Sequence, residues 1–275
     1  MAYFLTHQEL RHYKSKGFVS PVKVLSSEDA ENYRNNYNKF RSQAAANFDV
    51  NAVLRSKPHL VFPWLYDLVV DPAITNPVSS VLGPNLLAWG SSFFAKAARD
   101  TGFVSWHQDI NYWGLEPHNI LTAWIAFSPS RRENGCMRVV PGSHLDGALE
   151  HQDTFAANNL LTRGQEILVE VDEDNAVDIT LEAGEMSLHH VSIVHGSEPN
   201  SSQLDRIGFA VRYISTEVQQ IGGRTTATLA RGVDEYNHFD PEPRPKKSFD
   251  RESQKVRANA LERQHNVLFK GADPR

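Results

Sequence analysis

Residues 183–197 read Ala183-Gly184-Glu185-Met186-Ser187-Leu188-His189-His190-Val191-Ser192-Ile193-Val194-His195-Gly196-Ser197. After the cluster Pro199-Asn200-Ser201-Ser202 the chain resumes as Arg206-Ile207-Gly208-Phe209-Ala210-Val211-Arg212. Each run is short, rich in β-formers and bounded by Gly, Pro, Asn or Ser, the pattern of a strand, a turn and a second strand. The same texture recurs at 86–96, 104–109, 120–127, 137–140, 177–181, 186–195 and 206–214, with turns at Asn134-Gly135 and Pro141-Gly142-Ser143. Many short strands after an α-rich start predict a barrel or sandwich decorated by helices.

That start is legible. Thr6-x-x-Glu9 is a capping-box signature for a helix running to about Lys14 and ended by Gly17. A strand is expected over 18–25. Ser26 or Ser27 then caps a helix in which Ala30, Tyr33, Tyr37, Phe40 and Ala44 recur at helical spacing. A third helical segment begins near Pro58, with Leu60, Trp64, Leu65 and Leu68 on its apolar face. From about Gln219 strand character fades. Pro241-Glu242-Pro243-Arg244-Pro245 reads as an extended linker, and a polar helix follows from Ser248 to about His265. No repeat and no long internal linker divides the chain. One domain over 1–275 is expected: a helical lead-in 1–84, a β core 85–218 and a C-terminal extension 219–275.

At 275 residues the chain can bury a substantial core. Its net charge of −5, with both signs interspersed, does not point to nucleic acid. A single cysteine, Cys136, allows no intrachain disulfide, and burial is expected for it rather than catalysis. The first residues lack the basic and apolar segments of a signal peptide. No stretch approaches the roughly 18–20 apolar residues that cross a bilayer. The expectation is a soluble cytoplasmic protein acting on a small molecule, without membrane or nucleic-acid partners. Oligomeric state is not readable.

The chemistry is carried by His107-Gln108-Asp109 and His195. On a strand, side chains alternate, so His107 and Asp109 share a face. A remote histidine completing the pair gives the two-His-one-carboxylate triad that holds non-haem Fe(II) and leaves positions open for other ligands. An isolated His-x-Asp is more often an ordinary polar strand end; the context changes that weighting. Arg206 opens the next strand and shares a face with Gly208 and Ala210. If the two strands pair, Arg206 lies near His195 with small neighbours leaving room for an anion, and its planar fork suits a carboxylate.

Taken together, Trp106-His107-Gln108-Asp109, Trp124, Glu133-Asn134-Gly135-Cys136-Met137, Pro141-Gly142-Ser143-His144 and His195-Gly196-Ser197 followed by Arg206 resemble the phytanoyl-CoA dioxygenase family. The likeness runs from about residue 90 to 214, and Gly17-Phe18 through Gly83-Pro84 is also similar. It implies a mainly β, cupin-like double-stranded β-helix (jelly roll) with N-terminal helices packed on the barrel. It further implies Fe(II), 2-oxoglutarate and O₂, with ascorbate as a candidate reductant. By this resemblance His107, Asp109 and His195 are the iron ligands and catalytic centre. Arg206 and Ser197 would bind the distal carboxylate of 2-oxoglutarate, with Trp124, Gln108 and Lys57 around the co-substrate. Ser92 stands where some family members carry methionine, four residues before Lys96. The family's substrates range from acyl-CoA thioesters to amino acids, aminophosphonates and secondary metabolites. No basic patch for a CoA moiety is evident, so hydroxylation of a smaller polar or amphipathic molecule is expected. Asp109 fills the position that related halogenases leave to chloride, which argues against halogenation. A different class, a metal-containing jelly roll that only binds, has no need of both an open metal face and a carboxylate clamp.

Tyr112 and Trp113 follow the ligand strand and are expected near the cavity mouth, facing substrate. Lys96 is more simply a solvated lysine than an anion ligand. If 186–195 is one regular strand, six residues at about 3.3 Å each place His189 roughly 20 Å from His195, out of reach of the same ion.

Overall fold

Thr6 and Glu9 close a capping box at the head of helix α1 (His7–Lys16), and Gly17, at φ 83°, ends it. The computed structural model describes residues 3–43, 49–154, 158–161, 165–169 and 171–268, apart from the side chains of Asn111, Tyr112, Gln165 and Leu268. Strand β1 (Phe18–Lys23) follows, then α2 (Ser27–Arg41), capped by Ser26, whose hydroxyl accepts from the Asp29 amide. Ala30, Tyr37 and Phe40 of its expected apolar face are buried; Ala44 lies outside the described residues.

Where one helical segment was expected near Pro58, the chain makes several. Helix α3 (Val50–Arg55) is capped by Asp49, and α4 (Pro63–Val69) and α5 (Pro72–Leu82) each start on a proline. A proline's fixed φ suits the first helical position and disfavours helix before it, so Pro63 and Pro72 divide the run, whereas Pro77 is accommodated inside α5.

The remaining elements are β2 (Leu86–Lys96), β3 (Val104–His107), α6 (Ile110–Trp113), β4 (Ile120–Ala126), β5 (Met137–Val139), β6 (Val177–Ile179), β7 (Glu185–His190), β8 (His195–Ser197), β9 (Arg206–Ser215), β10 (Thr226–Arg231), β11 (Asp240–Pro241) and α7 (Arg251–Leu268). Two main sheets form, in the orders β1-β7-β4-β9-β2-β10-β11 and β3-β8-β5-β6, beside two short two-stranded pairs, Leu115–Glu116 with Gln219–Gln220 and His151–Asp153 with Gln165–Ile167, giving a jelly roll. The larger sheet has two unlike faces. Phe93, Leu121, Ala123, Ile125, Leu188, Phe209 and Val211 are buried in one core with Phe40, Phe62, Leu65 and Leu68 of the helical layer. Each of the Val, Leu, Ile and Phe side chains contributes about 1.5–3 kcal/mol when fully buried. The alternate positions Ser92, Phe94, Thr122, Trp124, His189, Arg206, Ala210 and Arg212 line a cavity of about 850 Å³. Period-two alternation thus separates a greasy side that holds the helices from a polar side that faces the ligand space.

Three expectations need correction. The run 186–195 is not one strand: β7 ends at His190, Ile193 N–H bonds back to the His190 carbonyl, and β8 belongs to the other sheet. Strand character does not end at 219, because β10 pairs with β2. Residues 241–245 are no free linker, since Pro241 ends β11 and Glu242 is buried. Both outer positions of the larger sheet therefore come from outside 85–218, with β1 at one edge and β10 and β11 at the other.

Candidate metal centre and its cavity

His195 of β8 sits directly opposite His107 of β3 in register, and their rings lie 4.1 Å apart. Asp109 reaches the same point by a route the alternation argument did not foresee. The strand ends at His107, and Asp109 is helical (φ −70°, ψ −30°) at the head of α6. Its backbone N–H bonds to the Val191 carbonyl at 3.1 Å, which draws the turn toward β8. The Asp109 carboxylate then lies 3.4 Å from His107 Nε2. Ligand atoms of His107, Asp109 and His195 all fall within 4.8 Å of one another, and among the described residues no fourth His, Cys, Asp or Glu joins them.

The donor set fits a divalent iron. His107 Nδ1 faces the Ser105 carbonyl at 2.9 Å and His195 Nδ1 faces the Ile193 carbonyl at 3.0 Å. A carbonyl only accepts, so each Nδ1 carries the proton and each Nε2 keeps a bare lone pair. Burial, then the neighbouring His107, push the His195 imidazole down to about 4, which keeps it neutral at physiological pH. Burial works against the charged Asp109 carboxylate, but the adjacent His107 and His195 rings and the Arg212 guanidinium outweigh this and hold it ionised. Two imidazoles and one carboxylate, open on one side, suit Fe(II).

Arg206 enters the cavity from the facing sheet. Strand β9 pairs with β2 and β4, not with β8, so Arg206 is registered opposite Lys96 rather than beside His195. It is 2% exposed, donates to the Gly135 carbonyl, and stacks 5.4 Å from the Trp124 ring, while its Nε has no partner. Burial lowers the guanidinium to about 10, still cationic at neutral pH. The expected space beside it is taken: a Cβ on Gly208 would lie 1.9 Å from the Trp124 ring, which fills that gap. Gly135, at φ 72°, is needed as well, because a Cβ there would meet the Glu198 carbonyl at 2.2 Å.

Ser197 lines the cavity, and its hydroxyl accepts from Lys96 Nζ at 2.7 Å. Lys96 is not solvated. It is fully buried and also donates to the Ser197 and Glu198 carbonyls; burial, and then Arg206, push its ammonium down to about 6. Trp113 lines the cavity and stacks near Trp89; the Tyr112 side chain lies outside the described residues.

Two expected co-substrate contacts are placed elsewhere. The Gln108 amide donates to the Gly147 and Ser192 carbonyls and accepts from the Leu149 N–H, so it braces two loops with no group left over. Lys57 does not line the cavity. Its Nζ is buried against Glu242 at 2.5 Å, because a buried ammonium needs a carboxylate nearby and β11 delivers one. His189 departs in the other direction. With the strand broken after His190, its ring lies 5.2 Å from that of His195, on the cavity wall.

The mouth is built from segments that motif reasoning left unplaced. Asp49, Asn51, Ala52, Arg55 and Ser56 of α3 and its flanks share it with Arg257 and Leu261 of α7. Arg257 ties the two helices, donating to the Ser56 and Ala52 carbonyls at 2.7 Å each. Cys136 is buried, and burial pushes its thiol up to about 11. Among the described residues, no helix is long and apolar enough to cross a membrane.

Comparison with known proteins gives the family and the fold. The family model described as phytanoyl-CoA dioxygenase matches residues 13–208. The solved apo structure of a non-heme monooxygenase, ThoJ, is 34% identical with a TM-score of 0.86, covering 95% of this chain and 97% of that one. The peroxisomal phytanoyl-CoA dioxygenase of Mus musculus is 24% identical over 83% of this chain and 75% of its own length. A probable alpha-ketoglutarate-dependent hypophosphite dioxygenase of Stutzerimonas stutzeri is 25% identical over 78% of this chain and 81% of its own.

Proposed function

The chain belongs to the phytanoyl-CoA dioxygenase family and is an Fe(II)- and 2-oxoglutarate-dependent non-haem oxygenase, and we propose that it hydroxylates a small polar or amphipathic molecule, releasing succinate and CO₂. In this reading residues 1–275 act as one dioxygenase domain. His107, Asp109 and His195 hold the iron, which when bound supplies the O₂-dependent oxidation of 2-oxoglutarate and of a substrate C–H bond. The Ser105 and Ile193 carbonyls keep both imidazoles in the ligating tautomer. Arg206 receives the distal carboxylate of 2-oxoglutarate through its unpartnered Nε, with Ser197 beside it and Trp124 closing the slot. Trp113 borders the prime substrate. The Asp109 carboxylate occupies the place a halide would need, which favours hydroxylation.

The observation that carries this reading is the pairing of a three-ligand cluster with a buried, incompletely bonded arginine on one cavity wall. Succinate formation by the purified protein with Fe(II), 2-oxoglutarate and ascorbate, screened against candidate substrates, tests it. His195→Ala is expected to lose iron and turnover. Arg206→Ala is expected to raise the constant for 2-oxoglutarate about ten- to hundredfold, the equivalent of losing a charge-assisted hydrogen bond of about 1.5–3 kcal/mol. Wild-type iron affinity and turnover in His195→Ala would refute the triad. An unchanged co-substrate constant in Arg206→Ala would refute the clamp.

A further inference from the structure

A second arginine faces the same cavity. Arg212 lies on the inward side of β9, and among the described residues its guanidinium hydrogen-bonds only Ser92 Oγ, at 2.6 Å. It rests 5.5 Å from the Phe94 ring and 5.8 Å from the Trp113 ring, and makes no ion pair among the described residues. The register places it directly opposite Thr122, which in turn lies opposite His189. These two neighbours are buried, and among the described residues both Thr122 Oγ1 and His189 Nδ1 lack a hydrogen-bond partner. One row across three strands thus presents an unpaired cation and two unmet polar atoms to the ligand space. Unmet buried groups cost about 1–3 kcal/mol each unless something fills the role.

Charge balance indicates what is missing. With iron and 2-oxoglutarate in place, and leaving aside Asp49, Arg55 and Arg257 at the mouth, the interior of the cavity holds the two charges of Fe(II) and one each from Arg206 and Arg212. Asp109 and the two carboxylates of the co-substrate supply one negative charge fewer. The two arginines also serve different sides of the centre: Arg206 bonds the Gly135 turn, whereas Arg212 lies within electrostatic range of Asp109. We propose that the prime substrate carries a carboxylate, held by the Arg212 fork with Thr122 and His189 completing its hydrogen bonds. This rests on the oxygenase reading above and narrows it to an anionic substrate. Ser92 has a part here too, since its hydroxyl accepts from the guanidinium and aims it.

The test uses Mn(II)-loaded, 2-oxoglutarate-saturated protein under anaerobic conditions, so that binding is read without turnover. Calorimetry and tryptophan fluorescence compare matched acid and amide pairs of one skeleton: amino and hydroxy acids, 3-phenylpropionate, and their neutral amides. A phosphonate arm distinguishes carboxylate from other anions. At least one acid is expected to bind ten- to hundredfold tighter than its amide. In Arg212→Met that preference should collapse, with the loss for the acid exceeding any loss for 2-oxoglutarate at least tenfold. Thr122→Val, a near-isosteric change, should lower the acid's affinity several-fold if Arg212→Met does not fold. A panel in which no acid is preferred over its amide overturns the proposal, as does an Arg212→Met loss confined to 2-oxoglutarate. If wild type binds neither Mn(II) nor 2-oxoglutarate, the oxygenase reading itself has failed, which is a separate result.

Discussion

Gly208 shows how much can hang on one missing methyl group. Its lack of a side chain lets Trp124 lie across β9 and stack on Arg206. Gly208→Ala must displace a rigid ring rather than a flexible chain end. Overpacking of this kind costs about 1–3 kcal/mol, and here the displaced group is the wall of the co-substrate slot. The variant is expected to bind 2-oxoglutarate at least about tenfold more weakly while still binding metal; calorimetry with Mn(II) present reads both. Unchanged affinity would mean that the Trp124 position does not matter. The residues of the site were legible to different degrees. His107, Asp109, His195 and Arg206 stood out because their types and spacing are chemically unusual. Lys96 and His189 were misplaced: one looked like any solvated lysine, and the other was judged along a strand that in fact ends at His190. Applying the alternation rule to 90, 92, 94 and 96 would have turned Lys96 inward with Ser92.

Among the elements, β2, β4 and β9 fall where strands were expected, whereas the ligand-carrying runs 104–109 and 186–195 break at His107 and His190, and the edges of the larger sheet lie outside 85–218. Strand β2 falls where 86–96 was expected, whereas β10 lies in a polar stretch whose inner residues pair with β2 for reasons of packing, not of local propensity. What pins that edge is Glu242. It accepts from Lys57 at 2.5 Å, Thr226 at 2.6 Å and Thr228 at 2.8 Å, joining the N-terminal helical layer to the C-terminal strands. Removing one member of such a buried pair strands the other charge, at about 3–5 kcal/mol. Glu242→Leu and Lys57→Met should each lower the unfolding free energy read from urea titration by that amount, and Lys57→Met/Glu242→Leu by clearly less than their sum. Additive losses would show that the two residues act independently. A pairing between residues so distant in sequence leaves no local pattern, which is why Lys57 drew a co-substrate role from resemblance alone.

For the molecule as a whole, burial of ionisable groups on the polar side of the fold sets how it responds to acid. Burial lowers His189 to about 3 and His190 and His195 to about 4. The unfolded chain, with imidazoles near the usual value of about 6.5, binds more protons in the interval between. Their stabilisation is complete above about 6.5 and drains away as the pH falls toward 4. Lys96, lowered to about 6, acts in the same direction over a window that extends above neutrality. The metal-free chain should therefore lose urea resistance steadily from pH 8 to 5, more steeply below 6.5. A midpoint that stays level from 6.5 to 5 would contradict the neutral burial of these histidines. One arrangement has a different kind of consequence. Helix α7, the last element among the described residues, stands at the cavity mouth and is tied there by Arg257 to α3, while every proposed iron ligand comes from strands and turns earlier in the sequence. The doorway and the reactor are thus written in separate paragraphs of the gene. Grafting a different tail would change who is admitted without touching what is done to them.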